Sequence, residues 1–397
     1  MSSVVIVSAV RTPIGTLTGN LATVPSYTLG SIVIEEVLKR AEVNKDDVCE
    51  VIMGQVLTAG QGQNPARHAS LLAGLPHKVP ALTVNQVCGA SLRAIALAFQ
   101  AIKCGDAKIV VAGGQESMSM APHCVHMRAG VKMGNTNLVD TMVEDGLKDC
   151  IHKCSMLNTA ENIAQRWKIS RKDQDEFTYS SQMKAAEALK SNQFEKEIIP
   201  VTVKGRKEIT VSVDEFPRPQ TTMETLSKLK PIGLSDDDKL KGITGSVTVA
   251  NATGVNNGAA AVLVMSSEEA QKRSLSPLAK IVSWAHAGVD PLIMGTGPIP
   301  AISKAVEKAG WKIEEVDLFE INEAFAAQSL AVVQELGIDL KKLNVRGGAL
   351  ALGHPLGATG CRLVVTLLHA MVEKGAHKGV AALCVGGGMG VALCVEM

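Results

Sequence analysis

Two stretches of the sequence repeat one pattern and decide the fold. The first runs from Cys88-Gly89-Ala90-Ser91 through an apolar helix to Ile109-Val110-Val111-Ala112-Gly113-Gly114. The second runs from Gly357-Ala358-Thr359-Gly360 through another apolar helix to Val380-Ala381-Ala382-Leu383-Cys384-Val385-Gly386-Gly387. Each consists of a small-residue loop, a helix, a glycine, a buried strand and a glycine-rich turn. A repeat of this length predicts two similarly folded halves; chance similarity between two stretches rich in Gly, Ala and Val is the alternative.

Strands and helices alternate on both sides of these stretches. Strands that are apolar along their whole length are typical of a sheet that helices cover on both faces, which predicts an α/β fold. The predicted strands are Val4–Ser8, Val51–Gly54, Ile109–Ala112, Ala259–Met265, Ala279–Ala287, Leu318–Ile321, Val380–Val385 and Val391–Val395. The predicted helices are Gly30–Ala41, Ser91–Lys103, Thr159–Trp167, Arg171–Leu189, Ile299–Ala309, Phe325–Leu336 and Thr359–Glu373.

The middle of the chain has a different character. From about Ala121 to Val249, Gly, Ala and Val become scarcer and polar residues more frequent. This predicts an inserted loop domain, and not an independent third domain, because Ala259–Met265 has the pattern of a core strand that returns to the first half. The predicted organisation is a first half of residues 1–120 and 250–272, an insertion of 121–249, and a second half of 273–397.

Composition excludes several classes of protein. The 40 Lys and Arg residues balance 39 Asp and Glu residues, whereas nucleic-acid binding usually needs a basic patch. Aromatic residues, at 3%, are too scarce to favour stacking on bases. We therefore expect no nucleic-acid partner. No stretch reaches about 18 uncharged apolar residues and no basic leader is present, so we expect no membrane partner and a cytoplasmic location.

The cysteines indicate free thiols. Nine cysteines without a CxxC pair suggest a reducing compartment. Cys150, His152 and Cys154 form only a faint metal pattern, and we interpret these thiols as surface or packing residues. The expectation is a protein with no metal and no cofactor.

Cys88 and His354 are the first candidates for chemistry. A cysteine at a helix N-terminus and near a histidine should have its pKa lowered towards neutrality; alone, Cys88 would more often be a buried inert thiol. His354 lies among Gly and Pro, in a rigid loop suited to presenting an imidazole, although a structural histidine is as common. The repeat places the counterpart of Cys88 beside His354, so the two halves predict that Cys88, His354 and the turn after Cys384 are neighbours.

Cys384 and Asn322 complete the set. The three glycines that begin at Gly386 can expose backbone N–H groups, as an oxyanion hole requires. Asn322 follows a strand and could hold a water molecule, but an N-cap role is equally consistent with its position.

Four loops that carry these residues resemble the signature loops of the thiolases, in the same order and over essentially the whole chain. They are Asn85-Gln86-Val87-Cys88-Gly89, Asn322-Glu323-Ala324-Phe325, Gly353-His354-Pro355-Leu356-Gly357-Ala358 and Cys384-Val385-Gly386-Gly387-Gly388-Met389-Gly390. The resemblance implies a duplicated thiolase fold, with a five-layered α-β-α-β-α core and an inserted loop domain. The biosynthetic branch is the most similar.

The resemblance also implies a reaction, the condensation of two acetyl-CoA molecules to acetoacetyl-CoA and CoA. His354 would activate Cys88, which would carry the acetyl group. Cys384 would remove a proton from the second acetyl-CoA. One oxyanion hole would consist of His354 and a water held by Asn322, and the other of the backbone N–H groups of Cys88 and Gly386.

Substrate contacts and assembly follow from the same resemblance. Arg218 would bind a phosphate group of CoA, and Met294, Met156 and Phe325 would close the acyl end of the pocket. The predicted CoA-binding residues are Leu147, Met156, Arg218 and Thr253. We expect a homo-oligomer, a tetramer built as a dimer of dimers, in which Ala121–Thr141 resembles the loop through which tetramers associate.

The sequence departs from the family pattern away from the four reactive side chains. These departures leave two alternatives open: a degradative 3-ketoacyl-CoA thiolase of broader chain length, and a homologue that binds acyl-CoA without turnover. The departures are Ser91 and Thr253, Ser155-Met156-Leu157, Pro219-Gln220-Thr221, Gly233 and the polar loop Ser235–Lys241.

Overall fold

The computed structural model describes residues 3–205, 207–234 and 244–397, so that the predicted loop Ser235–Lys241 lies outside the described residues. The strands are β1 (Val4–Arg11), β2 (Gly15–Thr16), β3 (Glu50–Gly54), β4 (Ala81–Val84), β5 (Ile109–Ser117), β6 (His123–Cys124), β7 (Val139–Asp140), β8 (Val201–Val203), β9 (Ile209–Val211), β10 (Asn256–Ser266), β11 (Ala279–Gly288), β12 (Leu318–Ile321), β13 (Lys378–Val385) and β14 (Met389–Glu396). The helices are α1 (Ser26–Arg40), α2 (Pro65–Leu72), α3 (Ala90–Cys104), α4 (Met156–Arg166), α5 (Arg171–Lys190), α6 (Met223–Ser227), α7 (Ser267–Lys272), α8 (Pro298–Ala309), α9 (Ala326–Leu336), α10 (Ala349–Leu352) and α11 (Thr359–Lys374).

The sheet repeats one strand arrangement in the two halves of the chain. Its order is β4-β3-β5-β10-β1 in the first half and β12-β13-β14-β11 in the second. In each half, the three strands nearest the junction pair antiparallel with one another. The next strand outwards pairs parallel to the third. The prediction of two similar halves is confirmed. The join was not predicted: Val4–Ile6 of β1 pair with Ala279–Ile281 of β11 and make the sheet continuous.

Alternating side chains explain the layers. In β5, Val110 and Ala112 pack inwards against α3 and α11, whereas Ile109 and Val111 pack outwards against α1 and α2. In the second half, α8 and α9 cover the outer face. Because α3 and α11 lie between the two halves of the sheet, the layers follow the predicted α-β-α-β-α order.

The central position of α3 accounts for its apolar sequence. The 18 residues Val87–Cys104 have a mean hydropathy of 1.4, enough by length and composition for a membrane span. In the structure this segment packs in the core shared by both halves, where Ala94 and Ile95 are fully buried. The helix ends at Gly105, whose φ of +84° is the left-handed conformation that glycine favours.

The insertion is the segment of chain that connects the end of β5 to the start of β10. It contains α4, α5, α6 and the small pairs β6–β7 and β8–β9. Fully buried Arg11 ties it to the sheet, since its guanidinium donates to Glu197 at 2.6 Å and to Asp214 at 2.7 Å. The predicted limits at residues 121 and 249 fall within this connection, and the division into domains remains a prediction.

Candidate active site

Cys88 lies in a tight turn between β4 and α3. Val87, the residue before it, has a φ of +45°, a strained conformation for a β-branched residue. Gly89 follows, and a Cβ atom there would lie 2.8 Å from a methyl group of Val385. The turn of Cys88 therefore presses against the end of β13, and only glycine fits at the contact.

Two backbone N–H groups point at the Cys88 sulfur, its own and that of Gly386. Gly387 and Gly388, with φ of +82° and +83°, hold the turn that presents the second donor. Burial nevertheless raises the pKa of the Cys88 thiol to about 11. The expectation of a lowered pKa is wrong, because desolvation outweighs the donors at this helix N-terminus. Cys88 therefore rests as a thiol.

His354 is fully enclosed and held on both sides of its ring. Its Nδ1 lies 2.6 Å from Oγ1 of Thr359, and its Nε2 lies 3.3 Å from Nδ2 of Asn322. Its backbone N–H donates to Oδ1 of Asn256 at 2.9 Å. Burial and the charge of Arg362 lower the pKa of His354 to about 3. The imidazole is therefore neutral near pH 7 and able to accept a proton.

Asn322 is not a helix N-cap. The helix after it begins at Ala326, with Phe325 in the capping position. The backbone N–H of Asn322 instead donates to the carbonyl of Ala382 at 2.9 Å, which holds it beside the end of β13. Its buried Oδ1 has no hydrogen-bond partner among the residues that the structure describes. That oxygen is available to accept a hydrogen bond from a water molecule.

Glu116 is a buried acid to which the motifs had assigned no role. Its two carboxylate oxygens accept the N–H groups of Val56 at 3.0 Å, Leu57 at 3.2 Å and Gly357 at 2.9 Å. It thereby braces the loop of His354 against the end of β3. Burial raises the pKa of Glu116 to about 7 in spite of the three donors. An acid within the otherwise uncharged strand β5 was the signal that could have identified it.

Cys384 is buried at the end of β13 in an apolar cluster. Burial and the nearby Cys88 raise the pKa of the Cys384 thiol well above its ordinary value. Leu147 packs in a second cluster, which contains Cys88. Three predicted substrate-binding residues pack with Cys384: Met156, Met294 and Phe325.

Of the other two predicted substrate-binding residues, Thr253 adjoins the Cys384 cluster and Arg218 stands apart from the thiols. The N–H of Thr253 donates to the carbonyl of Ala324, a member of that cluster, at 3.1 Å. Arg218 is exposed and lines an open cleft of about 360 Å³. Val249 and Ala250, which lead along the chain towards Thr253, line the same cleft.

Three departures from the family pattern have structural roles. Ser155 caps α4 by accepting an N–H of its first turn at 3.2 Å. The buried hydroxyl of Ser91 accepts the N–H of Cys361, in the first turn of α11, at 2.9 Å. At Gly233, a Cβ atom would lie 3.0 Å from Glu161, which leaves no room for an aromatic side chain.

The faint metal pattern of Cys150, His152 and Cys154 gains no support. Among the residues that the structure describes, no group of three or more His, Cys, Asp or Glu side chains is arranged to hold a metal ion. That the protein works without a metal or cofactor remains a prediction.

Comparisons with known proteins cover the whole chain. The family model described as "Thiolase, N-terminal domain" matches residues 4–268, and "Thiolase, C-terminal domain" matches residues 275–397. The "Acetyl-CoA acetyltransferase, cytosolic" of Rattus norvegicus is 56% identical over 394 residues, 99% of this chain and 98% of that protein. The "Acetyl-CoA acetyltransferase" of Paracoccus denitrificans is 53% identical over the full length of both chains. A crystal structure of the Bacillus anthracis acetyl-CoA acetyltransferase superposes with a TM-score of 0.96 at 45% identity, covering 100% of this chain and 99% of that one.

Proposed function

The chain belongs to the thiolase family, and we propose that within it the protein is an acetyl-CoA C-acetyltransferase, which joins two acetyl-CoA molecules into acetoacetyl-CoA and CoA and also runs in reverse. The observation that carries this proposal is that the turns of two thiols meet. Gly89, next to Cys88, packs against Val385, next to Cys384, and the N–H of Gly386 is directed at the Cys88 sulfur. The condensation needs a nucleophile that carries the acyl group and a second group that removes a proton from the carbon of the other substrate, whereas hydrolysis of a thioester removes no proton from carbon.

The first half of the proposed reaction transfers an acetyl group to Cys88. As the sulfur attacks the thioester carbonyl, its proton passes to Nε2 of His354. The N–H groups of Cys88 and Gly386 donate to the oxyanion. The carbon–sulfur bond to CoA then breaks, and Cys384 gives its proton to the CoA sulfur. This step leaves acetyl-Cys88, an imidazolium and the thiolate of Cys384, so a thiol with a raised pKa becomes a base only after the first product has formed.

The second half forms the new carbon–carbon bond. The thiolate of Cys384 takes a proton from the methyl carbon of a second acetyl-CoA. The enolate oxygen accepts hydrogen bonds from Nε2–H of His354 and from a water on Asn322. The enolate carbon attacks acetyl-Cys88, the carbon–sulfur bond breaks, and the sulfur recovers its proton from His354. Both thiols and the neutral imidazole are restored.

Binding of CoA is assigned to the insertion and to the segment that leads back to β10. Leu147 and Met156 are apolar and lie beside the two thiols, where the pantetheine arm would pass. Thr253 is hydrogen-bonded to Ala324 of the Cys384 cluster and lies three residues along the chain from Ala250, which lines the cleft of Arg218. The guanidinium of Arg218 is suited to bind a phosphate of CoA with two parallel hydrogen bonds. Met294 and Phe325 fill the acyl end, which favours a short chain.

Assembly and location belong to the same proposal. The segment Ala121–Thr141 carries solvent-exposed apolar side chains, among them Met133, which is 94% exposed, and Leu138, which is 66% exposed. Such a segment fits a contact between copies, so we propose a homotetramer associating through it. Static light scattering at micromolar concentration should give the mass of a tetramer, and a monomer would contradict this. A cytosolic location is supported by the rat relative.

Thiolysis by CoA tests the proposed activity. We expect rapid loss of acetoacetyl-CoA, which is measured through the decrease of its enolate absorbance. Turnover of a 3-ketoacyl-CoA with a longer chain should be much slower. Equal turnover of both substrates would favour the degradative alternative. Folded protein that turns over neither substrate would contradict the proposal and favour a protein that only binds acyl-CoA.

A further inference from the structure

The hydroxyl group of Thr359 has two close polar neighbours and only one proton. Its oxygen lies 2.6 Å from Nδ1 of His354 and 2.8 Å from the carbonyl oxygen of Pro355. Thr359 is fully buried in the first turn of α11, so water does not compete for these contacts. The direction of both hydrogen bonds follows from what each neighbour can do.

A carbonyl oxygen only accepts hydrogen bonds. If the hydroxyl of Thr359 donated to Nδ1 of His354, two oxygens would face each other at 2.8 Å with no proton between them, which is repulsive. If the hydroxyl donates to Pro355, its oxygen is free to accept a proton from Nδ1–H. Only the second arrangement makes both contacts attractive, and it requires the proton of the neutral imidazole on Nδ1.

The other side of the ring agrees with this assignment. With the proton on Nδ1, Nε2 carries a lone pair and accepts a hydrogen bond from the side-chain amide of Asn322. The amide oxygen of Asn322 then points away from the imidazole, where no group in the described part of the chain is its partner. Thr359, His354 and Asn322 thus form a chain in which each donor meets an acceptor.

We propose that Thr359 is a positioning residue that keeps the proton of His354 on Nδ1, so that the ring lone pair stays on Nε2, where it accepts the amide N–H of Asn322 at rest and the proton of Cys88 during acetylation. This inference rests on the proposed function for its catalytic meaning. During acetylation, the proton leaves the Cys88 sulfur as the sulfur–carbon bond forms, and it binds Nε2. The imidazolium that results still donates from Nδ1 to Thr359, which lowers the cost of placing a charge in a buried site. Without the hydroxyl, Nδ1–H would have no acceptor, whereas a half-turn of the Asn322 amide would let its unpartnered Oδ1 accept from Nε2–H, so the other tautomer would become the better one.

The tautomer can be observed directly in the wild-type protein. Nitrogen-15 NMR of histidine-labelled protein distinguishes a protonated from an unprotonated ring nitrogen. His354 is identified as the signal that disappears in His354→Gln. We expect a neutral Nδ1–H form at pH 7. A neutral Nε2–H form in wild-type protein would overturn the proposal, whether or not any variant folds.

Three variants test the consequence for catalysis. Thr359→Val replaces the hydroxyl with a methyl group of similar size, and Thr359→Ser keeps the hydroxyl. Thr366→Val is the matched control, because Thr366 is an equally buried threonine of α11 whose hydroxyl donates to Glu197 at 3.1 Å, outside the site. The readouts are the NMR tautomer, the rate of Cys88 acetylation in a single turnover, and KM.

We expect Thr359→Val to lose the Nδ1–H signal and to acetylate Cys88 roughly 10²-fold more slowly, with KM changed less than threefold. Thr359→Ser should recover most of the rate, and Thr366→Val should behave like wild type. Wild-type rates in Thr359→Val, or an equal loss in Thr366→Val, would overturn the positioning role. Failure of the proposed function would show instead as wild-type protein that has the Nδ1–H tautomer but neither acetylates nor thiolyses.

Discussion

The same connection is built in opposite ways in the two halves of the molecule. In the second half, β13 joins β14 through Gly386-Gly387-Gly388, and the tight turn directs a backbone N–H at the Cys88 sulfur. In the first half, the equivalent strands β5 and β10 also pair side by side, but the chain between them is the whole insertion. On the proposed function, one half uses this position to stabilise a charge, and the other uses it to form the walls of a binding site.

The inner helices differ in a similar way. α3 follows the turn of Cys88, and α11 follows the loop of His354, so each half supplies one member of the proposed nucleophile–base pair. At the repeat offset, Ala358 stands where the first half has Cys88. The two halves thus have matching helix N-termini, and the side chains near them give one the proposed nucleophile and the other the proposed base.

The largest loss of activity is expected when Cys88 in the first half is replaced by the residue at the equivalent position of the second half. Cys88→Ala introduces the side chain that the second half carries at Ala358. Because no thiol can then hold the acetyl group, we expect no labelling of the protein by radioactive acetyl-CoA and a loss of thiolysis of roughly 10⁴-fold or more. Cys394→Ala, which removes a buried thiol of β14 outside the site, is the control and should label normally. A Cys88→Ala protein that still labels would exclude Cys88 as the nucleophile.

Removing the thiol of Cys384, which lies just before the glycine turn, should separate the two half-reactions. Cys384→Ala keeps Cys88 and the N–H of Gly386, and CoA can still leave as a thiolate when Cys384 has no proton to give. We therefore expect burst acetylation of Cys88 within about tenfold of wild type. Formation of acetoacetyl-CoA should fall by roughly 10³-fold, because general base catalysis contributes about that much. The measurement is the acetylation burst by mass spectrometry beside steady-state condensation. Normal condensation in this variant would refute the role of Cys384 as base.

A smaller effect concerns the pH dependence of Cys88 alkylation. It tests whether Cys88 and His354 form an ion pair in the resting protein. The pKa of Cys88 is raised to about 11 and that of His354 is lowered to about 3, so both are neutral between these values. Because the thiolate fraction grows about tenfold per pH unit below the pKa, alkylation of Cys88 by iodoacetamide should speed up roughly 100-fold from pH 7 to pH 9. Mass spectrometry of the Cys88 peptide follows the rate. A rate that is constant between pH 6 and pH 8 would indicate a thiolate–imidazolium pair and contradict these pKa values.

The repeat in the sequence predicted most of the fold and much of the site. It predicted similar halves and grouped Cys88 with the turn after Cys384, because pseudo-symmetric loops at equivalent strand ends must face each other. It did not predict α2 or β4, since Pro65–Leu72 is short and Ala81–Val84 is only partly buried. Local pattern is weak where burial is incomplete.

The electrostatics of the site could not be predicted from the sequence. The helix N-terminus before Ala90 was visible, but its effect on Cys88 depends on how much water the rest of the fold excludes. The same holds for Glu116, which accepts the N–H of Gly357 in a loop from the other half. Hydrogen bonds between the two halves depend on how the halves pack, and the spacing of residues along the chain does not show this.

The smallest predicted effect concerns the point where the two helices meet. Ser91 and Cys361 occupy equivalent positions in α3 and α11, and the hydroxyl of Ser91 accepts the N–H of Cys361 at 2.9 Å. Ser91→Gly leaves that buried N–H unpaired and adds backbone freedom to α3, so we expect the free energy of unfolding in urea to fall by about 1–2 kcal/mol. Thiolysis should stay within twofold of wild type, because neither residue touches the reacting atoms. Ser91→Ala, which lacks the hydroxyl but keeps helix propensity, should recover part of the stability. A large loss of activity in both variants with unchanged stability would instead mean that this contact between the halves helps to position Cys88.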